Sequence, residues 1–314
     1  MGVSIMKDLE KLIHIFMDEC KYMKGLNDKT LKAYSIDLKQ YVIFCTNREW
    51  CLRETVEEYI KALYMKYKPK TAKRKIACLK TFFKYLENND WVVSSPFHKI
   101  VLKRRDPIVL PKVIPTSVLT QILDEAYLKL CTKGHSACYY KCILRDVAVM
   151  ELLFATGVRV HELCNLRIND VDLKNKHIKV YGKGAKERYI QITNRDVVSA
   201  LRRYQKEYIG KINETGFFFI NNRGRKLSEQ SVRFMVDKYA KSVNAELHIT
   251  PHMFRHTVAT LLLEEDVDIR YIQEFLGHSS ITTTQIYTHV SLNAQKKILS
   301  KKHPRNKMQV KSDI

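Results

Sequence analysis

Four short segments in the second half of the chain concentrate side chains able to do chemistry. Ala155-Thr-Gly-Val-Arg-Val-His-Glu-Leu163 carries Arg159 just after a glycine break. Gly182-Lys-Gly-Ala-Lys-Glu187 places Lys183 and Lys186 at a turn. Thr250-Pro-His-Met-Phe-Arg-His256 puts His252 and Arg255 three residues apart, on one face of a helix. Leu276-Gly-His-Ser-Ser-Ile-Thr-Thr-Thr-Gln-Ile-Tyr-Thr-His289 supplies His278 and Tyr287. A phenol is an acceptable nucleophile and a good leaving group, so a tyrosine can store a phosphodiester as a covalent ester. Two guanidiniums offer forked donors for the charge that builds on the phosphate oxygens. Lysine, a point charge without the fork, substitutes poorly for either arginine.

The elements around these segments are mainly helical. In the first ninety residues, Leu9, Leu12, Ile13, Phe16, Met17 and Cys20 recur at helical spacing. A second helix follows Asn27 as N-cap, and Val56 to Leu63 suggest a third. A fourth, after Pro69, turns Ile76, Leu79, Phe83 and Leu86 inward and Lys70, Lys73, Arg74, Lys80 and Lys84 outward, a basic face able to lie along phosphates. Pro96, Pro107, Pro111 and Pro115, with Lys103, Arg104 and Arg105 among them, read as a basic linker. The expected division is a helical domain at 1–93, a linker at 94–112 and a larger domain at 113–314. Alternation in His177–Tyr181 and Arg188–Ile192 predicts a β-hairpin with Lys183 at its tip. From Lys296 onward the chain is polar and basic and is expected to end as a mobile tail after a short helix.

The charge balance narrows the partner. Fifty-five Lys and Arg against 33 Asp and Glu leave +22, and both halves share the surplus. A dense polyanion, DNA or RNA, is the expected partner. There is no signal-peptide core, no apolar run long enough to span a bilayer, no internal repeat and no low-complexity segment. The eight cysteines sit mostly in apolar helical patterns, as reduced thiols of a cytoplasmic protein would. Cys131, His135, Cys138 and Cys142 form a C-x3-H-x2-C-x3-C array that could just hold zinc, although zinc sites favour tighter C-x2-C spacing. The bland reading is a surface insertion running into the next helix.

Taken together, the four segments closely resemble the tyrosine recombinase/integrase family, in particular its compact two-domain Xer-like members. Thr156 to Leu163 matches Thr-Gly-x-Arg-x-x-Glu-Leu, and 182–188 matches Gly-Lys-Gly-x-Lys-x-Arg. His252 and Arg255 match His-x-x-Arg, and Leu276-Gly-His278 is followed nine residues later by Tyr287. The likeness covers nearly the whole chain, with sharp motifs only in the second domain. It implies Arg159, Lys183, His252, Arg255, His278 and Tyr287 as the catalytic set, with no metal or nucleotide cofactor. Tyr287 would be the nucleophile, Lys183 the general acid for the departing 5′ oxygen, His252 the proton acceptor or relay, and His278 a hydrogen-bond partner of the phosphate.

The implied fold is mainly α: a helical, SAM-like core-binding domain and a mixed α/β catalytic domain with a small sheet, closing as a C-shaped clamp on double-stranded DNA. Four protomers would synapse two sites with inverted repeats and exchange strands through a Holliday junction. The segment from Ala294 to Leu299 would dock on a neighbour. A return strand reading Tyr189-Ile-Gln191-Ile, without the family's usual proline, departs from the pattern. Two other readings stay open: a nicking-closing enzyme of the topoisomerase IB kind, and a DNA-binding regulator without catalysis. Residue by residue, Arg159 and Arg255 could instead be structural ion pairs with Glu162 or Glu264, and His252 a core histidine.

Overall fold

The computed structural model describes residues 2–102, 112–182, 187–277 and 298–308. The chain forms two compact units, Met1–Val109 and Leu110–Ile314. Lys183, His278 and Tyr287 lie outside the described residues.

The first unit holds α1 (Gly2–Asp18, extended by a π-helical turn, Glu19–Met23), α2 (Asp28–Phe44), α3 (Arg53–Lys66) and α4 (Pro69–Asn88). Asn27 caps α2 as its sequence suggests, its side chain accepting from the Thr30 amide at 2.9 Å. Pro69 opens α4, where a missing N–H costs nothing. Phe16, Tyr41, Phe82 and Phe83 are fully buried and interlock at ring-centroid distances of 5.3 to 6.2 Å. Lys70, Lys73, Arg74, Lys80 and Lys84 all face solvent. Lys75, on the opposite face of α4, is buried and donates to the buried Asp37 of α2 at 2.7 Å. Arg74 joins the same carboxylate, so the charge of Asp37 is balanced inside the unit.

The second unit is built around α6 (Ala137–Thr156), which is buried almost without interruption from Ile143 to Thr156. It packs against α5 (Thr116–Cys131), α8 (Arg195–Thr215) and α10 (Pro251–Glu264). A helix surrounded this way needs an apolar sequence on all sides, and Val147-Ala-Val-Met-Glu-Leu-Leu-Phe-Ala155 supplies one. The remaining elements are α7 (Val160–Asn165), α9 (Glu229–Ser242), α11 (Ile269–Leu276) and a small sheet. The predicted hairpin forms β2 (His177–Tyr181) and β3 (Glu187–Gln191), paired antiparallel with Ile178 opposite Ile190. A two-residue strand, β1 (Val171–Asp172), adds to the free edge of β2, too short for alternation to reveal it. No described helix is long and apolar enough to cross a membrane.

The C-terminal stretch corrects the expectation of a mobile basic tail over its described part. Residues 298–302 are helical, and Pro304–Lys307 forms a 3-10 turn. Leu299, His303 and Arg305 are buried. Arg305 makes two hydrogen bonds to Glu151 of α6, at 2.7 and 2.9 Å, and the Tyr127 hydroxyl donates to the same carboxylate at 2.8 Å. A guanidinium needs such a partner to enter a core, because an unpaired buried charge is far too costly.

Cys131 ends α5, Cys138 and Cys142 lie in the first turns of α6, and all eight cysteines are free thiols. His135 bonds the Lys129 carbonyl at 2.9 Å, and Cys142 donates to Asn222 at 3.1 Å. Among the described residues no three His, Cys, Asp or Glu side chains gather in a metal-holding group.

Candidate active site

The site is assembled where three helix ends meet. The first is the end of α6. Gly157 closes that helix with φ +58°, and a Cβ there would stand 2.6 Å from a terminal carbon of the buried Leu276. Only glycine combines the left-handed backbone with that close approach. The chain then turns through Arg159, the residue before α7.

The second is the start of α10, where Pro251 occupies the first turn and Arg255 points inward. Arg255 is 5% exposed, and it donates to the Gly157 carbonyl at 2.9 Å and the Leu276 carbonyl at 2.6 Å. The third is the end of α11, capped by Gly277 at φ +66°.

The last carbonyls of α11 have no partner within the helix and form the negative end of its dipole. Three guanidiniums take three in succession. Arg188 of β3 reaches Phe275 at 3.3 Å, Arg255 reaches Leu276, and Arg159 reaches Gly277 at 2.8 Å. One carboxylate stands among them. Glu162 accepts from the Arg159 side chain and backbone amide, each at 2.9 Å, and from both terminal nitrogens of Arg188 at 3.0 and 2.7 Å. The ion pair between Arg159 and Glu162 that the sequence allowed is therefore present, whereas Arg255 takes main-chain oxygens in place of Glu264.

The electrostatics follow from this crowding. Burial alone would raise the Glu162 pKa, but Arg188 and then Arg159 outweigh it, and the carboxyl sits below its ordinary value. Burial, then the charge of Arg159, lowers the Arg255 pKa to about 9, which leaves it a cation at neutral pH. Three guanidiniums against one carboxylate leave a positive excess that a phosphate can neutralise.

His252, the residue at the start of the same α10 face, is exposed. It is thus no core histidine. Partial desolvation, followed by the charges of Arg233, His256, Arg255 and Arg159, holds its pKa below the ordinary histidine value. The imidazole is accordingly neutral at pH 7 and able to accept a proton.

The structure thus brings together Arg159, His252 and Arg255 of the six sequence candidates. Lys183 falls between β2 and β3 in the sequence and His278 directly follows Gly277; with Tyr287 they lie outside the described residues. Sequence reading gave Glu162 only an alternative role, as an ion-pair partner of Arg159, and gave Arg188 none. The signal for them was present, since each is a fixed position of the motifs that hold Arg159 and Lys183.

Comparison with known proteins agrees with this architecture. Residues 119–294 match the model of the phage integrase family, and residues 12–92 match the phage integrase N-terminal SAM-like domain. A tyrosine recombinase of Agathobacter rectalis is 47% identical over 302 residues, covering 96% of this chain and 98% of the relative. The tyrosine recombinase XerC of Thermodesulfovibrio yellowstonii is 37% identical, covering 93% and 96%.

Among solved structures, the XerH site-specific recombinase bound to a palindromic difH substrate, a post-cleavage complex, superposes with a TM-score of 0.67. It is 24% identical, with 90% of this chain and 82% of that one covered. A lambda integrase tetramer bound to a Holliday junction gives 0.66 at 17% identity, covering 88% and 75%. These two likenesses concern the fold; the family rests on the sequence matches. A mainly helical chain with a SAM-like first unit, an integrase-type second unit and relatives matched end to end belongs to the phage integrase family of tyrosine recombinases.

Proposed function

We propose that this protein is a site-specific recombinase that cuts and rejoins duplex DNA through a 3′-phosphotyrosine intermediate. The observation that carries this reading is the array of three guanidiniums and one carboxylate at the end of α11, the helix after which the chain runs on to Tyr287.

In the proposed reaction the Tyr287 oxygen attacks phosphorus. Its proton passes to His252, whose lowered pKa keeps it a base at neutral pH. Arg159 and Arg255 bind the non-bridging oxygens as charge accumulates, and their carbonyl partners fix them in advance. The bond to the 5′ oxygen breaks, and Lys183 donates the proton which that oxygen needs to leave. His278 hydrogen-bonds the phosphate. Resealing runs the same steps backwards, with a 5′ hydroxyl from the other duplex as nucleophile, so bond energy is conserved in the phosphotyrosine.

Residues 1–93 would hold the DNA beside the cleavage point, 94–112 would link the two domains, and 113–314 would carry the chemistry. The exposed basic face of α4 suits phosphate contacts. The tetramer on a Holliday junction reported for lambda integrase supports a synapse of four protomers on two inverted-repeat sites for this chain as well. We place the reaction in the cytoplasm, which suits eight free thiols.

The test uses nicked duplexes carrying a site that the protein selects from a randomised pool. The unaltered chain is expected to form a covalent protein–DNA adduct that survives denaturation. Tyr287→Phe is expected to bind the same duplex and form none; an adduct from that variant would sink the assignment. The rate of adduct formation is also expected to fall on acidification, with a midpoint below the ordinary histidine value near 6.5, as protonation removes the base at His252. A pH–rate profile of single-turnover cleavage checks this, and a midpoint at or above that value would contradict the role of His252.

A further inference from the structure

Arg188 has the geometry of neither a surface cation nor a phosphate ligand. Its side chain is 14% exposed, less than half the 33% of Arg159. Both terminal nitrogens go to the two oxygens of Glu162, and Nε goes to the Phe275 carbonyl. It lies flat against Gly277, where a Cβ would meet its guanidinium at 2.9 to 3.1 Å. Every donor direction that these bonds use leads into the protein.

An ionised carboxylate has about four acceptor positions. On Glu162, Arg159 takes two, one through its backbone amide and one through a single terminal nitrogen, and Arg188 takes the other two. The second terminal nitrogen of Arg159 donates to the Gly277 carbonyl at 2.8 Å, so each terminal nitrogen keeps one further N–H for a ligand, on a side chain one-third open to solvent. Removing Arg188 would change two things together. It would vacate two acceptors beside Arg159, three residues away on the same turn, and a bidentate pairing would draw the fork onto Glu162. It would also lower the net charge of the cluster by one, so that the carboxylate cancels a guanidinium meant for substrate.

We propose that Arg188 is a positioning residue that occupies and neutralises Glu162, so that Arg159 stays open to the scissile phosphate. The inference rests on the recombinase reading for its substrate and deepens it: a third arginine serves the site without touching DNA.

Arg188→Gln is expected to leave binding of the selected duplex within about threefold and to slow adduct formation on the order of 10- to 100-fold. Adding Glu162→Gln in the same chain is expected to restore most of that rate, because the uncompensated carboxylate is gone. A merely structural brace predicts the reverse, with the double variant as slow as Arg188→Gln or slower, and that result would overturn the proposal. An unchanged rate in Arg188→Gln alone would overturn it too. Should Arg188→Gln fail to fold, Arg188→Met, which keeps an apolar stem but neither charge nor fork, takes its place, with the same rescue expected from Glu162→Gln.

A second readout needs no cleavage. Inorganic phosphate, followed by 31P line broadening on the DNA-free protein, is expected to bind more weakly to Arg188→Gln and to recover in the double variant. Absence of adduct from the unaltered chain would strike the recombinase reading alone, and the order of phosphate affinities would still decide the role of Arg188.

Discussion

Arg255→Lys is expected to lower the single-turnover rate of adduct formation on the order of 10²- to 10³-fold while thermal unfolding of the protein moves by only a few degrees. Lysine keeps the charge and much of the stem, so the interior tolerates it. Its single nitrogen cannot take the places of the two that reach the Gly157 and Leu276 carbonyls and also present a planar fork to a phosphate oxygen. The two carbonyls belong to the ends of different helices, α6 and α11, and Arg255 is what spans them. A lysine variant that cleaved within about threefold of the unaltered chain would show that charge alone suffices and would remove the fork from the mechanism.

The largest expected effect on stability lies elsewhere. Arg305→Ala strands Glu151, 0% exposed in the middle of α6, without its cation. Breaking a buried pair from one side costs about 3–5 kcal/mol. For a unit of this size that is a loss of roughly 10 °C in Tm, measurable by calorimetry. Replacing both partners by apolar residues, Glu151→Leu with Arg305→Met, is expected to recover much of the loss, since no orphan charge remains. A drop below about 1 kcal/mol in Arg305→Ala would mean that the pair is solvated and surface-like.

The same anchor carries a pH dependence. Burial holds the His303 pKa down to about 4. Between the ordinary value near 6.5 and that value, the unfolded chain takes up a proton that the folded one refuses. Stability conferred by this segment is therefore full above about pH 6.5 and declines as pH falls towards 4.

These two sites differ in how far the sequence disclosed them. Arg159, His252 and Arg255 were legible because local spacing fixes their helical context, and the hairpin was legible from its alternation. Asn27 announced α2 through its capping chemistry. Glu162 was visible as an acceptor for Arg159, but the carbonyls that hold the arginines were not, since a main-chain oxygen has no letter in the sequence.

Pairings across long separations were hidden for a related reason. Nothing local in the sequence sets Lys75 apart from the cations beside it on α4, because its partner Asp37 lies 38 residues earlier. Arg305 looked like part of a solvated tail, because its partner lies 154 residues earlier. One clue was available: a single Glu within the apolar run from Val147 to Ala155 needed a counter-ion from somewhere.

The row of carbonyls at Phe275, Leu276 and Gly277 also bears on how this candidate site can drift over generations. No exchange of side chain at Phe275 or Leu276 deletes an acceptor, so hydrophobic identity there can wander while the three cations remain docked. The burden of inheritance falls on Gly277, where the backbone conformation and the space for Arg188 are both specified by the lack of a side chain. A saturation library across these three codons should accordingly accept a few apolar letters of similar size at the first two, both buried, and almost none at the third.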